Sequence, residues 1–456
     1  MKGTLERSLS LPGSIGLIVG LVVGASIFVL IPSLAGMTGP SLYLAYGVSV
    51  VPTVFTGLYL MQLGGAMPVT GANYYAITRC ISPVAGFVSS VTAVTGMVST
   101  NCLVAWGFAE YLKDSFPMVN LTLVAVLVIV FFGIVNWVGI RIFEWLQVGM
   151  MLFLLVAMLI FIIAGLFHVN PALHQPLFPN GISKFIIVIA IATFSWGGFV
   201  AITEVAGEVK NPRRNIPLAI VISVVIILFL YVMQTYVFTG IIPWDRAAGI
   251  GPTAFIAAAR SFLPEWAVIF IIFSALLAMA TTINAIILMG ARESLAWSRD
   301  HVIPVIFNRI SSRFNTPEIT IFMITLVSVI GVLFAARLEK YALMVVFAIM
   351  LVQGLGATAV WRLPSVMPGV YRDSHFRMGR GWRLFIWAGC MVCFGAIFAF
   401  GWLADYKTGI IFLGIVLASL LYWEWRKRYL AKRGIHLKKV LREESDAFLQ
   451  EMESIS

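Results

Sequence analysis

The sequence predicts an all-α polytopic membrane protein with about 12 transmembrane helices, and three observations carry this prediction. Hydrophobic residues account for 60% of the 456 residues, and the mean hydropathy is +0.97. Only 11% of the residues are charged, whereas a soluble domain carries roughly 25%. Asp, Glu, Lys and Arg are all absent between residues 8 and 78, a stretch long enough for more than one span of about 20 residues.

Apolar runs of spanning length recur along the whole chain. A short N-terminal segment, 1–12, precedes the first run, and a tail that is first basic and then acidic, 426–456, follows the last. We expect the tail to lie at the membrane surface or in the cytosol. The predicted spans are 13–35, 41–65, 83–111, 120–140, 145–167, 183–206, 216–240, 265–290, 318–336, 341–361, 384–403 and 409–425.

Basic residues divide unequally between the two sides of the predicted membrane. Most Arg and Lys residues fall in alternate connections and in the tail, while the opposite side holds only Lys113, Lys184, Arg246, Arg260, Arg337, Lys340 and Lys407. The positive-inside rule therefore predicts that both termini are cytoplasmic, in a plasma or bacterial inner membrane. The net charge of +11 is then a topology signal that faces anionic lipid, and no nucleic-acid partner is expected.

Small residues interrupt two of the spans. Gly24-Ala25-Ser26 lies within the first span, and Ser195-Trp196-Gly197-Gly198 lies within the sixth. One such break is also explained by a helix-packing surface of small residues. Two breaks at corresponding places of two halves are typical of transporters built from an inverted repeat.

The breaks therefore divide the chain. We predict a 5+5 inverted repeat with discontinuous helices 1 and 6, followed by two extra C-terminal helices. The first repeat covers 13–168, the second covers 183–361, and the extra pair covers 384–425.

A broken helix exposes main-chain groups without placing a charged side chain in the membrane. Each break frees N–H groups at the start of one half-helix and C=O groups at the end of the other. The first kind of end favours an anion and the second favours a cation. Irregular backbone at this depth also requires protein or a water-filled cavity around it. We therefore predict a mid-membrane cavity suited to a zwitterion that carries a carboxylate and an ammonium on one carbon.

Four stretches resemble the amino acid–polyamine–organocation superfamily of transporters, whose fold is leucine-transporter-like. "VGASIFV" is similar to the G-S-G-I-F motif of the first helix, and "MPVTGANYYAITRCISPVAGFVS" is similar to the P-x-[ST]-G-G-x-Y segment after the second. "FSWGGF" with "TEVAGEVKNPRRNIPLAI" resembles the helix-six motif F-A-Y-G-G and its extension. "ARESLAWSRDHVIP" resembles the loop after helix eight. Together they cover most of residues 13–320.

The resemblance implies a substrate site at the two breaks. In that family the substrate carboxylate meets N–H groups of the first motif, and the amino group meets carbonyls at both breaks. Phe194 is implied to be a lid over the substrate, although ordinary packing explains Phe194 and Trp196 as well. Glu204 is a candidate gate or titrating group. The implied substrate-binding residues are Val23, Gly24, Ala25, Ser26, Ile27, Phe194, Ser195, Trp196 and Gly197.

The driving ion is open between sodium, a proton and none. Several proton-coupled relatives have a Lys in helix five, and the comparable place here holds Leu154. Thr281 and Thr282 offer two adjacent hydroxyls in span eight, which resembles the sodium site of transporters with this fold. The Ala278 carbonyl and the carbonyls of Gly20 and Val23 complete a candidate sodium site. Hydrogen bonds from both hydroxyls to their own helix explain the threonines equally well.

The composition near the breaks favours a neutral L-amino acid as the substrate. A cationic amino acid or a polyamine would require a carboxylate in mid-span, and the sequence places none there. The alternatives are an exchanger or facilitator without ion coupling, a transporter of cationic amino acids or polyamines, a channel, and a receptor that does not transport. An enzyme is not expected, because the five His residues fall in loops or the tail and no phosphate-binding loop occurs. No cofactor beyond sodium or a proton is expected, and the chain is predicted to be a monomer or a homodimer.

Overall fold

A computed structural model describes residues 9–23, 26–67, 72–138, 143–200, 202, 206, 209–311, 314, 316–334, 338–374 and 376–435. Within these residues the protein is helical, and its one strand-like pairing is an isolated bridge between Leu9 and Val209. The helices are α1 Leu11–Val23, α2 Ser26–Thr38, α3 Leu42–Val48, α4 Val50–Ala66, α5 Ala72–Cys80, α6 Pro83–Ser115, α7 Leu121–Val138, α8 Phe143–Leu166, α9 Gly181–Ala192, α10 Pro212–Ile241, α11 Trp244–Ile250, α12 Ala254–Arg260, α13 Glu265–Arg299, α14 Glu318–Leu333, α15 Leu338–Val366, α16 Pro368–Asp373, α17 Arg380–Ala404 and α18 Tyr406–Ala431.

The described helices confirm the predicted polytopic all-α fold. Ten helical stretches are long and apolar enough to cross a membrane, and two shorter apolar helices, Leu11–Val23 and Glu318–Leu333, accompany them. Each predicted span coincides with one helix or one pair of helices. The first span consists of α1 and α2, and the second consists of α3 and α4. Spans three, four, five and seven are α6, α7, α8 and α10, and spans eight to twelve are α13, α14, α15, α17 and α18.

The first predicted break falls between two helices, and the second falls within a 3-10 segment. In the first span α1 ends at Val23 and α2 begins at Ser26, so Gly24 and Ala25 lie outside the described residues. In the sixth span α9 ends at Ala192 and continues as a tighter 3-10 segment, Thr193–Val200. The 3-10 geometry shifts the main-chain hydrogen bonds out of the α-helical pattern and is rarely sustained beyond a few residues. The sixth span thus changes its backbone conformation where the sequence places small residues.

The packing of the spans repeats itself between the two halves. The first span packs on the seventh, and the sixth packs on the second. The third packs on the fourth, ninth and tenth, and the eighth packs on the ninth, fourth and fifth. If spans one to five are exchanged with spans six to ten, each of these contacts corresponds to another contact that is also observed. For example, the contact between spans one and seven corresponds to the contact between spans six and two. This pairing agrees with the 5+5 arrangement, while the repeat boundaries 13–168 and 183–361 stay a prediction.

Several helices extend past the predicted spans, and local sequence explains where they begin. Ser82 Oγ accepts a hydrogen bond from the Ala85 N–H at 3.1 Å, and Pro83 follows it, so α6 begins there. Asp405 caps α18 in the same way through the Lys407 N–H at 3.1 Å. The last helix continues to Ala431, so the first residues of the predicted tail belong to α18.

Candidate functional site

A cavity of about 140 Å³ lies where the two broken spans meet spans three, eight and ten. The end of α1 and the 3-10 segment form one wall, and α6, α13 and α15 form the others. The cavity therefore lies at the place that the paired breaks predict. Its lining residues are Leu21, Val22, Ala93, Gly96, Met97, Thr100, Val104, Phe194, Ser195, Gly197, Gly198, Val200, Thr282, Ile286, Met289, Val345, Ala348, Ile349, Val352 and Gln353.

The cavity is lined mainly by apolar side chains. The polar side chains in its lining are those of Thr100, Ser195, Thr282 and Gln353. Gln353 Oε1 accepts a hydrogen bond from Thr56 Oγ1 at 2.9 Å, which fixes the amide from the side of α4. No Asp, Glu, Lys, Arg or His is among the lining residues within the described part of the chain. The site thus offers hydrogen-bonding groups and no fixed charge.

One tyrosine joins the two broken spans. The Tyr231 hydroxyl, on α10, donates a hydrogen bond to the Val22 carbonyl at 2.6 Å and to the Ser195 carbonyl at 3.0 Å. Val22 is in the last turn of α1, where carbonyls have no partner within the helix. Tyr231 is completely buried, so no bulk water competes for these bonds. The tyrosine therefore holds carbonyls of both breaks at one point.

The two broken spans also touch through their main chains. A Cβ atom on Gly198 would lie 2.9 Å from Val22 N and 3.0 Å from the Leu21 carbonyl carbon. Those are fixed backbone atoms that cannot rotate away, so this contact requires a glycine. A Cβ atom on Gly197 would lie 2.5 Å from Ile349 Cδ1, the movable end of a side chain in the cavity lining. Gly198 therefore allows the close contact between the two spans, and Gly197 leaves room in the cavity.

Trp196 faces away from the cavity. Its indole Nε1 donates a hydrogen bond to Ser49 Oγ at 2.9 Å, and its ring lies 5.3 Å from that of Tyr231 in an edge-on arrangement. The side chain is 2% exposed. The Trp196 side chain therefore has a packing role. Only the main-chain groups of Trp196 are candidates for substrate contact.

The other predicted substrate residues divide into three groups. Phe194, Ser195 and Gly197 line the cavity, and the role of Phe194 as a lid stays a prediction. Val23 and Ile27 are buried but do not line it, whereas their neighbours Leu21 and Val22 do. Gly24, Ala25, the Ser26 side chain and the candidate gate Glu204 lie outside the described residues.

The candidate sodium residues show the arrangement of the simpler alternative. Thr281 Oγ1 and Thr282 Oγ1 both donate to the Ala278 carbonyl, at 2.9 Å and 2.8 Å. Such bonds within the same helix are common for threonine. Thr282 also lines the cavity, and α13 packs on α1, the helix that carries Gly20 and Val23. Leu154, in the place of a lysine, is buried.

Three contacts hold α2 at the side of the protein opposite the termini. Ser33 Oγ donates a hydrogen bond to the Glu339 carboxylate at the start of α15. Tyr111 on α6 donates to the Phe28 carbonyl at 3.1 Å. Asn180, just before α9, donates to the Met37 carbonyl at 3.1 Å. The outer half of the first span is thus fastened to three neighbouring elements in this structure.

Sequence reasoning missed Tyr231 and the role of Gly198 as a contact between spans. A phenol in the middle of the apolar run "IILFLYVMQTY" is a signal that was available, because a buried tyrosine hydroxyl usually has a partner. Its partners, however, are main-chain carbonyls of distant spans, and only the fold reveals them.

Comparison with known proteins is consistent with this geometry. Residues 9–439 match the family model described as "Amino acid permease". An uncharacterised protein of Methanocaldococcus jannaschii is 27% identical over 337 residues, which is 72% of this chain and 76% of that protein. A branched-chain amino acid permease of Bacillus subtilis is 23% identical over 69% of this chain and 72% of its own length. Cationic amino acid transporter 3, a mitochondrial protein of Arabidopsis thaliana, is 24% identical over 69% of this chain and 55% of its own length.

Proposed function

Since this chain belongs to the amino acid permease family, a family of membrane transporters rather than enzymes, we propose that it carries a neutral, apolar L-amino acid across the membrane by alternating access. Amino acid transport follows from the family. The choice of a neutral substrate is the proposal, and it rests on the cavity between the broken spans.

The single observation that carries the proposal is the chemistry of the cavity lining. A cationic substrate would leave its side-chain charge in this cavity without a carboxylate partner, and a buried unpaired charge costs several kcal/mol. An acidic substrate would likewise need a cation. The described lining provides methionine, valine, isoleucine and alanine side chains with a few hydroxyl and amide groups. These surroundings favour an aliphatic side chain.

The main chain around the breaks supplies groups for the two charges that all amino acids share. The start of α2 is a helix N-terminus, which favours a carboxylate. The end of α1 and the 3-10 segment carry carbonyls that favour an ammonium. Because Tyr231 donates to one carbonyl on each side, it fixes the spacing between the two half-sites. The substrate carboxylate and ammonium are proposed to bind there, with Phe194 closing over them.

The relatives are named for different substrates, so their names do not distinguish a neutral substrate from a cationic one. One is a branched-chain amino acid permease and another is a cationic amino acid transporter. A branched-chain side chain agrees with the apolar lining, and a cationic one does not. Identity of 23–24% leaves ample room for a change in pocket residues, so the proposal of a neutral substrate is based on the cavity of this chain.

Counterflow in proteoliposomes tests the proposal. Liposomes that contain the purified full chain are loaded with unlabelled leucine, valine, arginine or aspartate, and uptake of the same labelled amino acid is followed against protein-free liposomes. Leucine or valine is expected to show counterflow, while arginine and aspartate give the background signal. Counterflow confined to arginine or to aspartate contradicts the proposal. Binding of leucine with no counterflow of any amino acid identifies a receptor instead.

Coupling, topology and assembly belong to the same proposal. Sodium is proposed to bind at the carbonyls of Gly20, Val23 and Ala278 with the hydroxyls of Thr281 and Thr282; proton coupling, and exchange or facilitation without an ion, are the alternatives. The charge distribution supports cytoplasmic termini and a plasma or inner membrane location. A monomer or a homodimer is proposed for the assembly.

A further inference from the structure

A buried carboxyl group lies one helical turn beyond the cavity, on the side of the termini. Glu293 on α13 is 7% exposed and accepts a hydrogen bond from the Ser90 hydroxyl on α6. Glu293 follows the cavity residue Met289 by one turn, and Ser90 precedes the cavity residue Ala93 by one turn. The pair therefore forms the layer directly beneath the cavity.

Aromatic rings close the other side of this pair. Trp297, one turn after Glu293, lies 5.9 Å from Phe87 between ring centroids. Phe87 in turn lies 5.8 Å from Trp423 near the end of α18. Phe87 and both tryptophans are buried in one cluster. The carboxyl group is thus enclosed between the cavity and an aromatic layer that separates it from the side of the termini.

The two ion pairs formed between described residues, Arg260–Asp114 and Lys427–Glu424, do not include Glu293. Tyr74 on α5 is a titratable group close enough to be affected by Glu293: burial raises the pKa of Tyr74 well above 10, Asp300 raises it further, and Tyr75 and Glu293 add to the rise. Tyr74 donates its hydroxyl hydrogen to Asp300. At this end the neighbouring elements carry Arg79 on α5, Glu144 on α8, Arg292, Arg299, Asp300 and His301 on and after α13, Arg309 before α14, Glu318 on α14, Arg362 on α15, and Glu424, Arg426, Lys427 and Arg428 on α18.

The remaining charged residues of the helices around α13 lie at their opposite ends. They are Glu110, Lys113 and Asp114 on α6, Arg260 on α12, Glu265 on α13, Glu339 and Lys340 on α15, and Lys407 on α18. Among the residues that the structure describes, α1 and α7 carry no charged side chain.

From this placement we propose that Glu293 is a proton-binding site that couples substrate movement to a proton gradient; the proposal rests on the proposed transport function. An ionised carboxylate that pairs with no described cation is costly in this enclosed layer, so the closed state that holds substrate keeps Glu293 as the neutral acid. When the aromatic layer opens, water reaches the carboxyl group, the O–H bond breaks, and the proton passes to water on the side of the termini. The carboxylate that remains is hydrated through the empty cavity one turn away while the substrate-free protein returns, and its next proton enters from the opposite side through that cavity.

The geometry explains how this proton and the substrate act on the same step. The Glu293–Ser90 pair lies between α6 and α13, one turn from the part of the cavity that these two helices line, so movement of the aromatic layer changes the access of water to both sites. A substrate that favours the closed cavity therefore favours protonated Glu293, and protonation favours substrate binding by the same factor. The lysine that is absent at Leu154 is not needed for this route.

The test uses the full chain in liposomes in sodium-free choline buffer, with the membrane potential held at zero by potassium and valinomycin. An acidic outside medium with a gradient of about one pH unit is expected to drive labelled leucine above its equilibrium level, up to about tenfold for one proton per substrate. E293Q is expected to lose this accumulation while it still exchanges labelled for unlabelled leucine. Accumulation by E293Q equal to that of the unchanged protein overturns the proposal.

A matched control exists at the other end of the protein. Glu339 also accepts a hydrogen bond from a serine, Ser33, but it is half-buried and lies away from the cavity. E339Q is expected to keep the accumulation, so loss in E293Q and retention in E339Q assigns the proton to Glu293. Equal loss in both variants contradicts the assignment.

Two further measurements test the proposal even if E293Q fails to insert into the membrane. Leucine added to liposomes with the unchanged protein should make the outside medium more alkaline, and no pH change overturns the proposal. S90A removes a donor that stabilises the carboxylate, so the pH midpoint of transport should rise; an unmoved midpoint contradicts the role of the pair.

Counterflow of leucine without any proton effect refutes proton coupling but supports the proposed function, whereas no counterflow at all refutes the function itself.

Discussion

The Tyr231 hydroxyl donates a 2.6 Å hydrogen bond to the main-chain carbonyl of Val22. The two residues are 209 positions apart in the chain, and the bond satisfies a carbonyl at the end of a half-helix inside the membrane. In a bilayer such carbonyls need an internal partner. The bond therefore makes the end of α1 depend on the position of α10, and through the Ser195 carbonyl it includes the sixth span as well.

Tyr231→Phe should weaken substrate binding while the protein still inserts. The change leaves two buried carbonyls without this donor, at a cost of about 1–3 kcal/mol, which corresponds to about 5- to 150-fold in affinity. Equilibrium binding of labelled leucine to the purified variant measures the effect. Tyr236→Phe is the control, because Tyr236 lies on the same helix and contributes ring contacts to Tyr43 and His174. Similar affinities of both variants would show that the bridge is not needed for binding.

Gly198→Ala should separate the two broken spans. The added Cβ would lie 2.9 Å from Val22 N, so one backbone must move. We expect lower thermal stability in detergent and loss of transport. Gly395→Ala provides the comparison, since a Cβ there meets no atom within 4 Å. A Gly198→Ala protein with the stability and transport rate of Gly395→Ala would contradict the close contact between spans.

Phe194→Ala should slow transport more than it reduces the amount of inserted protein. The ring lines the cavity, and its loss leaves the substrate less enclosed between the two sides of the membrane. Initial counterflow rates, normalised to protein in the liposomes, measure this. Phe229→Ala, which removes a 54% exposed ring from α10, should leave the rate unchanged. Equal rates for both variants would assign Phe194 to packing alone.

Replacing Thr281 and Thr282 together by Val tests the sodium proposal. The double variant keeps the shape of both side chains but removes both hydroxyl oxygens. If sodium binds there, leucine affinity should rise with sodium concentration in the unchanged protein and should no longer do so in the variant. Thr325→Val is the control, because this threonine also donates to its own helix, at 2.8 Å from the Ile321 carbonyl. Uptake by the unchanged protein that is equal in choline and in sodium refutes the sodium site.

The sequence predicts the spans well because the bilayer imposes one strong constraint. Helices must be about 20 residues long and apolar, and each predicted span coincides with described helices. The breaks were predictable for a related reason, since a small polar sequence within an apolar run requires a cavity. Phe194, Ser195 and Gly197 line that cavity as the break in the sixth span predicts.

The side-chain partners of the breaks were not predictable in the same way. Tyr231 reaches carbonyls of the first and sixth spans, and Gly198 meets the backbone of Leu21 and Val22. Such contacts depend on how the spans pack, which periodicity within one span does not specify. Glu293 was missed because the predicted eighth span ends at residue 290, whereas α13 continues to Arg299. The helix continues because no glycine or proline interrupts "ARESLAWSR".

Binding of labelled leucine to a cavity-filling variant tests the central claim most directly. Gly197→Leu adds a branched side chain at a cavity-lining position whose Cβ would already lie 2.5 Å from Ile349 Cδ1. Gly395→Leu adds the same side chain at an exposed position of α17 with no atom within 4 Å. If a neutral amino acid binds between the broken spans, Gly197→Leu should lose leucine binding, and Gly395→Leu should bind like the unchanged protein. Unchanged leucine binding in inserted, purified Gly197→Leu would contradict the proposed site.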